Sequence, residues 1–150
     1  MASEIQAKYD AVASLTVTLS ALANASGRQS TLLANSNKRP RVKCHAKILV
    51  GTTPTAGTTV DFYLIRGNGT INSDGAGASD AAVTVVNAQP VGSLVLDAAT
   101  SDKAYYLDFM VEDIGPVWGL AVVNHSNAAL KTDANNNNCI TYEYMVPEAQ

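Results

Sequence analysis

The sequence predicts an all-β protein: an antiparallel β-sandwich, jelly-roll-like, of about eight or nine strands. Three observations carry this. Apolar residues recur at every second position from near the start of the chain to its end, the period of a half-buried strand. The runs so marked are short and are separated by clusters of Gly, Pro, Asn and Asp. The chain has 150 residues, 47% hydrophobic and only 15% charged, enough to bury a core without metal or disulfide support.

Taken in order, residues 1–14 read as an N-terminal arm or short helix, the helix confined to the stretch from Glu4 to Val12, and residues 15–150 as a single sandwich domain. Leu15, Val17 and Leu19 alternate with Ser14, Thr16, Thr18 and Ser20, a strand with a hydroxyl-lined outer face. Val42, Cys44, Ala46, Ile48 and Val50 alternate with Arg41, Lys43, His45, Lys47 and Leu49, and Val60, Phe62 and Leu64 with Asp61, Tyr63 and Ile65. Ala82 to Val86 and Val91 to Leu96 are shorter apolar runs. Tyr105, Leu107, Phe109 and Val111 oppose Ala104, Tyr106, Asp108 and Met110, and large side chains on both sides predict a strand covered on both faces. Trp118, Leu120 and Val122, then Ile140, Tyr142, Tyr144 and Val146, supply the last two strands. Asn135 to Asn138 reads as a solvated loop, since Asn tolerates left-handed backbone.

A net charge of −3 gives no global reason to expect nucleic acid or an anionic membrane as partner. No apolar run approaches the roughly 20 residues of a membrane helix, and the first residues lack a signal-peptide pattern, which places Cys44 and Cys139 in a reducing cytoplasm during synthesis. The charge is segregated, however. Lys38, Arg39, Arg41, Lys43 and Lys47 place half of the ten basic residues in one ten-residue window. Arg41, Lys43, His45 and Lys47 project from one strand face and are the first candidate partner-binding set, suited to an acidic surface; the alternative is a solvated face with lysines guarding an edge. Ile5 and Tyr9 of the arm are the second set, apolar side chains that a neighbouring subunit would bury.

No catalytic, metal or cofactor constellation is legible. Asn68 to Asp80 is oxygen-rich and Gly-punctuated, but aligning Gly75 with the invariant glycine of a calcium loop puts Thr70 first and Ala81 last, where an acidic ligand and a bidentate Glu are required. It reads instead as a flexible hairpin loop. His45 and His125 lack a nucleophile signature, His125 lying in a turn-like Asn124-His125-Ser126-Asn127. Zinc spacings are absent, and Asp108, Glu112 and Asp113 mark no cleft. Trp118 and the late tyrosines alternate with aliphatics as core residues do, leaving a carbohydrate-binding module with exposed Trp118 or Tyr144 as one alternative.

The whole-chain pattern carries a resemblance. Ala2-Ser3-Glu4-Ile5-Gln6, Leu15-Thr16-Val17-Thr18-Leu19, Gly27-Arg28-Gln29-Ser30-Thr31, Val50-Gly51-Thr52-Thr53-Pro54-Thr55-Ala56, Tyr63-Leu64-Ile65-Arg66-Gly67, Asp74-Gly75-Ala76-Gly77-Ala78-Ser79-Asp80, Ala104-Tyr105-Tyr106, Trp118 to Asn124 and Pro147-Glu148-Ala149-Gln150 together resemble small structural proteins of tailed bacteriophage virions. The resemblance implies a non-enzymatic virion component assembled in the host cytoplasm, without cofactor, whose partners are the major capsid protein or other virion subunits, including copies of itself, and neither nucleic acid nor membrane. Among such components it implies first a capsid decoration, or cement, protein, and second a tail, baseplate or fibre-attachment subunit.

Overall fold

A computed structural model describes residues 5–98, 102–132 and 137–149. Within these, the chain forms β1 (Ile5–Tyr9), β2 (Ala13–Ser14), β3 (Ser26–Gln29), β4 (Leu33–Ala34), β5 (Arg41–Leu49), β6 (Thr59–Gly67), β7 (Ala81–Ala82), β8 (Gln89–Val95), β9 (Ala104–Glu112), β10 (Val117–His125) and β11 (Cys139–Ala149). Eight of these are long enough to be principal strands, and β2, β4 and β7 are two-residue additions.

The pairing follows one rule. The first half of the chain lies antiparallel to the second half taken in reverse: β1 on β11, β3 on β10, β5 on β9 and β6 on β8. This ribbon then wraps, so that β5 also meets β11 and β6 also meets β10. The result is sheet A, ordered β1-β11-β5-β9 with β2 on β11, facing sheet B, ordered β7-β3-β10-β6-β8 with β4 on β10. It is the double Greek-key sandwich of a jelly roll.

The inner faces are the alternating positions of the sequence. Val42, Cys44, Ala46 and Ile48 of β5, with Ile140 of β11, meet Val60, Phe62 and Leu64 of β6 and Trp118, Leu120 and Val122 of β10. Phe62 and Phe109 join the sheets with ring centroids 5.2 Å apart. Trp118 stands edge-on to Tyr142 at 5.3 Å and its Nε1 donates to the Tyr144 hydroxyl at 3.1 Å. Such ring pairs contribute about 0.5–1.5 kcal/mol each beyond the area they bury.

The outer face of sheet B is also covered. The segment between β6 and β8 folds back over it, and Ile65, Ala88 and Ala121 form a second small core beneath Val83 and Val85. Gln29, fully buried, pins this segment: its Nε2 donates to the Gly77 and Ser79 carbonyls at 2.8 and 2.7 Å, and its Oε1 accepts from the Ala76 N–H at 2.5 Å. Gly75 sits here at φ +103°, where an added Cβ would lie 2.4 Å from Gln29 Oε1, so both its backbone angle and its surroundings require glycine.

Several expectations need correction. The short helix is replaced by β1, held in the sandwich by the Ile5↔Ala149 to Tyr9↔Met145 register. Residues 15–19 keep their alternating burial but form no ladder. The Leu15 N–H donates to Ile140 of sheet A, and the Thr16 carbonyl accepts from Thr31 beside sheet B, so this segment crosses between the sheets. The 68–80 loop is fastened rather than free. His125 ends β10, opposite Thr59. Asn138 is buried, accepting from the Leu49 N–H at 2.8 Å and donating to the Lys131 carbonyl at 2.8 Å; residues 133–136 lie outside the described residues.

Candidate interaction surface

The basic stripe on β5 does not stand at an edge. β5 lies between β11 and β9, and both neighbours present carboxylates to it. Reading across the outer face of sheet A, the rows are Cys139–Lys47–Tyr106, Thr141–His45–Asp108, Glu143–Lys43–Met110 and Met145–Arg41–Glu112, with Tyr9 beside Met145. Arg41 Nε lies 3.0 Å from Glu112, Lys43 Nζ lies 3.9 Å from Asp108, His45 Nδ1 lies 2.7 Å from Asp108 and His45 Nε2 lies 3.2 Å from Glu143. Three of the four candidate residues, Arg41, Lys43 and His45, are therefore engaged within the chain. Exposed pairs of this kind contribute about 0.2–1 kcal/mol each, so the lattice serves more to cancel charge than to stabilise.

What remains exposed on this face is aromatic and thioether surface. Tyr106 is 68% exposed, Tyr9 46% and Met110 38%. The expectation that both faces of β9 are covered is thus overturned: Tyr105, Phe109 and Val111 are buried, whereas Tyr106, Asp108, Met110 and Glu112 face outward. The signal was in the sequence, since two carboxylates in one alternating stripe mark a solvated face. Tyr9 lies on this surface within β1, paired to the chain's own β11 rather than reaching out as an arm; the Ile5 side chain lies outside the described residues.

Several other titratable groups are committed to structure. Burial alone would raise the Asp80 carboxyl, but Arg28 Nε at 2.5 Å and the Thr18 N–H and hydroxyl at 2.9 and 2.5 Å outweigh it and hold it below the ordinary value. Asp74 shows the same balance, with backbone N–H groups of Gly75, Val86, Asn87 and Ala88 outweighing burial. Asp113 is held by Arg66 at 2.7 Å. Both ring nitrogens of His45 face carboxylates rather than a hydroxyl or thiol. Burial pushes the Cys44 thiol up to about 12, an inert group. Cys44 points into the core opposite Tyr142, whereas Cys139 lies on the outer face opposite Lys47, so the two thiols are on opposite sides of sheet A. Among the described residues no cluster of His, Cys, Asp and Glu could hold a metal ion, and no helix is long and apolar enough to cross a membrane.

Two clefts lie at the margins. One, of about 750 Å³ between the β4–β5 and β9–β10 connections, is floored by Ile114 and Pro116 and rimmed by Lys38, Arg39 and Arg41. Asn35 braces it, its amide donating to the Arg39 and Gly115 carbonyls at 2.8 and 2.9 Å. The other, of about 660 Å³, lies between the 82–88 segment and sheet B and includes Tyr63 and His125.

No protein-family model matches the chain, and no curated protein is significantly similar to it.

Proposed function

We propose that the chain is a non-enzymatic structural subunit of a tailed-bacteriophage virion, and within the particle a capsid decoration protein that braces the shell through contacts with the major capsid protein and with its own copies. The observation that carries the reading is the outer face of sheet A: tyrosine and methionine exposed within a lattice of charges that neutralise one another. Tyr, Met and Arg are enriched at the centres of protein interfaces. The whole-chain resemblance to phage structural proteins points the same way. So does the jelly roll, a fold that viral capsid domains share with lectins and cupins, although fold alone does not assign function.

The carbohydrate-binding alternative loses Trp118, which is fully buried and donates its N–H to the half-buried Tyr144. Mass spectrometry and cryo-electron microscopy of purified particles test the proposal. A copy number that fills the capsid lattice is the expected result; a small ring of copies at the tail would support the baseplate or fibre-attachment role instead. Absence of the chain from intact particles would overturn both.

A further inference from the structure

Sheet A and sheet B end side by side at β9 and β8, and the two edges are treated differently. β8 carries Pro90, Gly92 and a register shift opposite Phe62 and Tyr63. Proline, bulges and broken register are the devices by which sheets prevent an edge from accepting a foreign strand. β9 has none of them. It runs nine residues, Ala104 to Glu112, in unbroken register with β5, contains no proline, glycine or lysine, and among the described residues pairs with no strand on its other side. A long, regular edge whose two carboxylates, Asp108 and Glu112, are already paired to residues of β5 invites strand addition.

The sequence of β9 says what it accepts. Strands that pair antiparallel about a two-fold axis bring each residue opposite its mirror position in the same strand. With the axis at Asp108, Tyr106 of each copy faces Met110 of the other, Leu107 faces Phe109, Tyr105 faces Val111 and Ala104 faces Glu112. On the outer face this gives two tyrosine–methionine contacts, a favourable sulfur–aromatic pairing; on the inner face it matches apolar with apolar. Moving the axis to Leu107 or Phe109 keeps the inner face apolar but sets Asp108 against Tyr106 or Met110 and loses both tyrosine–methionine contacts. The one like-charged pair, Asp108 against its own copy, is offset within each copy by the Lys43 ammonium at 3.9 Å, with the His45 ring 2.7 Å away.

We infer that β9 is a self-association edge, through which two copies of this chain join their A sheets into one continuous sheet about a two-fold axis at Asp108. The inference stands on the strand itself and does not require the virion reading. Tyr106 and Met110 belong to this contact, and their exposure in the single chain is the unmet half of it.

Light scattering coupled to size exclusion, at micromolar concentrations of the full chain, tests it with three proteins. The wild type is expected to run as a dimer. Tyr106→Asp combined with Met110→Asp sets carboxylates against carboxylates across the axis and is expected to weaken the dimer at least about a hundredfold, since like-charge juxtaposition costs several kcal/mol. Tyr106→Lys combined with Met110→Asp sets a lysine against an aspartate twice and is expected to restore the dimer. Both positions face solvent in the monomer, and fluorescence of the buried Trp118 checks that each variant is folded. A monomeric wild type, a dimer indifferent to the first variant, or a loss the second variant does not rescue would each overturn the inference.

Discussion

Replacing Gln29 by Glu exchanges one nitrogen for one oxygen and leaves the side-chain shape intact, which makes it a clean test of how the covering segment of sheet B is held. In the native protein the amide donates to the Gly77 and Ser79 carbonyls from a fully buried position. A carboxylate there would face two carbonyl oxygens with no donor of its own. The variant escapes by taking up a proton, which restores one of the two donated bonds. Holding a carboxyl of ordinary pKa near 4.3 protonated at pH 7 costs roughly 3.7 kcal/mol. The second lost bond adds about 1 kcal/mol, so the expected destabilisation reaches about 5 kcal/mol, a large part of a typical domain's 5–15 kcal/mol. The sign with pH follows. The introduced carboxyl has its pKa raised by folding, so the penalty is greatest at high pH and shrinks as pH falls, by roughly 2.7 kcal/mol between pH 7 and pH 5. Urea unfolding followed through Trp118 fluorescence at the two pH values measures both quantities. A variant within 1 kcal/mol of wild type at pH 7, or a difference that does not change with pH, would refute the account of Gln29 as the donor that fastens residues 76–79.

Two further outcomes are expected. Asp74 and Asp80 are held below the ordinary carboxyl value in the folded protein, so the stability they confer is complete above the unfolded pKa of about 3.9 and is lost as pH falls towards their lowered values; Asp80→Asn should flatten the acid limb of a stability–pH curve, and an unchanged limb would remove Asp80 from the explanation. Changing Arg41 and Lys43 together to Glu sets like charges opposite Glu112 and Glu143 and beside Asp108 and should lower stability by about 1–3 kcal/mol, less at high salt; an unchanged urea midpoint would mean the charge lattice contributes nothing.

The parts of this fold visible in the sequence are those where two-residue periodicity coincides with one buried face. β5, β6 and β11 are read with their inward residues correct, because Val42, Phe62 or Ile140 alternates with polar neighbours. β1 and β3 escape because Gln6-Ala7-Lys8 and Ser26-Gly27-Arg28 carry no such contrast and are strands only through their partners, β11 and β10. The reverse happens at residues 15–19, where the alternation is sharp and the backbone bonds to both sheets rather than to one strand. The candidate stripe on β5 shows a similar limit. Its spacing and its shared face are local properties and are legible; its neutralisation by Asp108, Glu112 and Glu143 depends on register between distant strands and is not. Gln29 gives no local sign of its role at all, since a buried amide and a solvated one look alike in sequence.

β11 lies inside sheet A, between β1 and β5, with β2 also on it. Of the strands of that sheet made earlier in synthesis, β5 and β9 can pair with each other, whereas β1 and β2 wait for residues 139–149 before their ladders can form. Until then β1, β2 and the inner half of β5 carry open edges, and such edges are where newly made β-proteins aggregate. Closure of sheet A thus depends on β11 through the wrapping of the ribbon, and a chain cut before β11 would leave β1, β2 and one edge of β5 without a partner rather than lose a single strand.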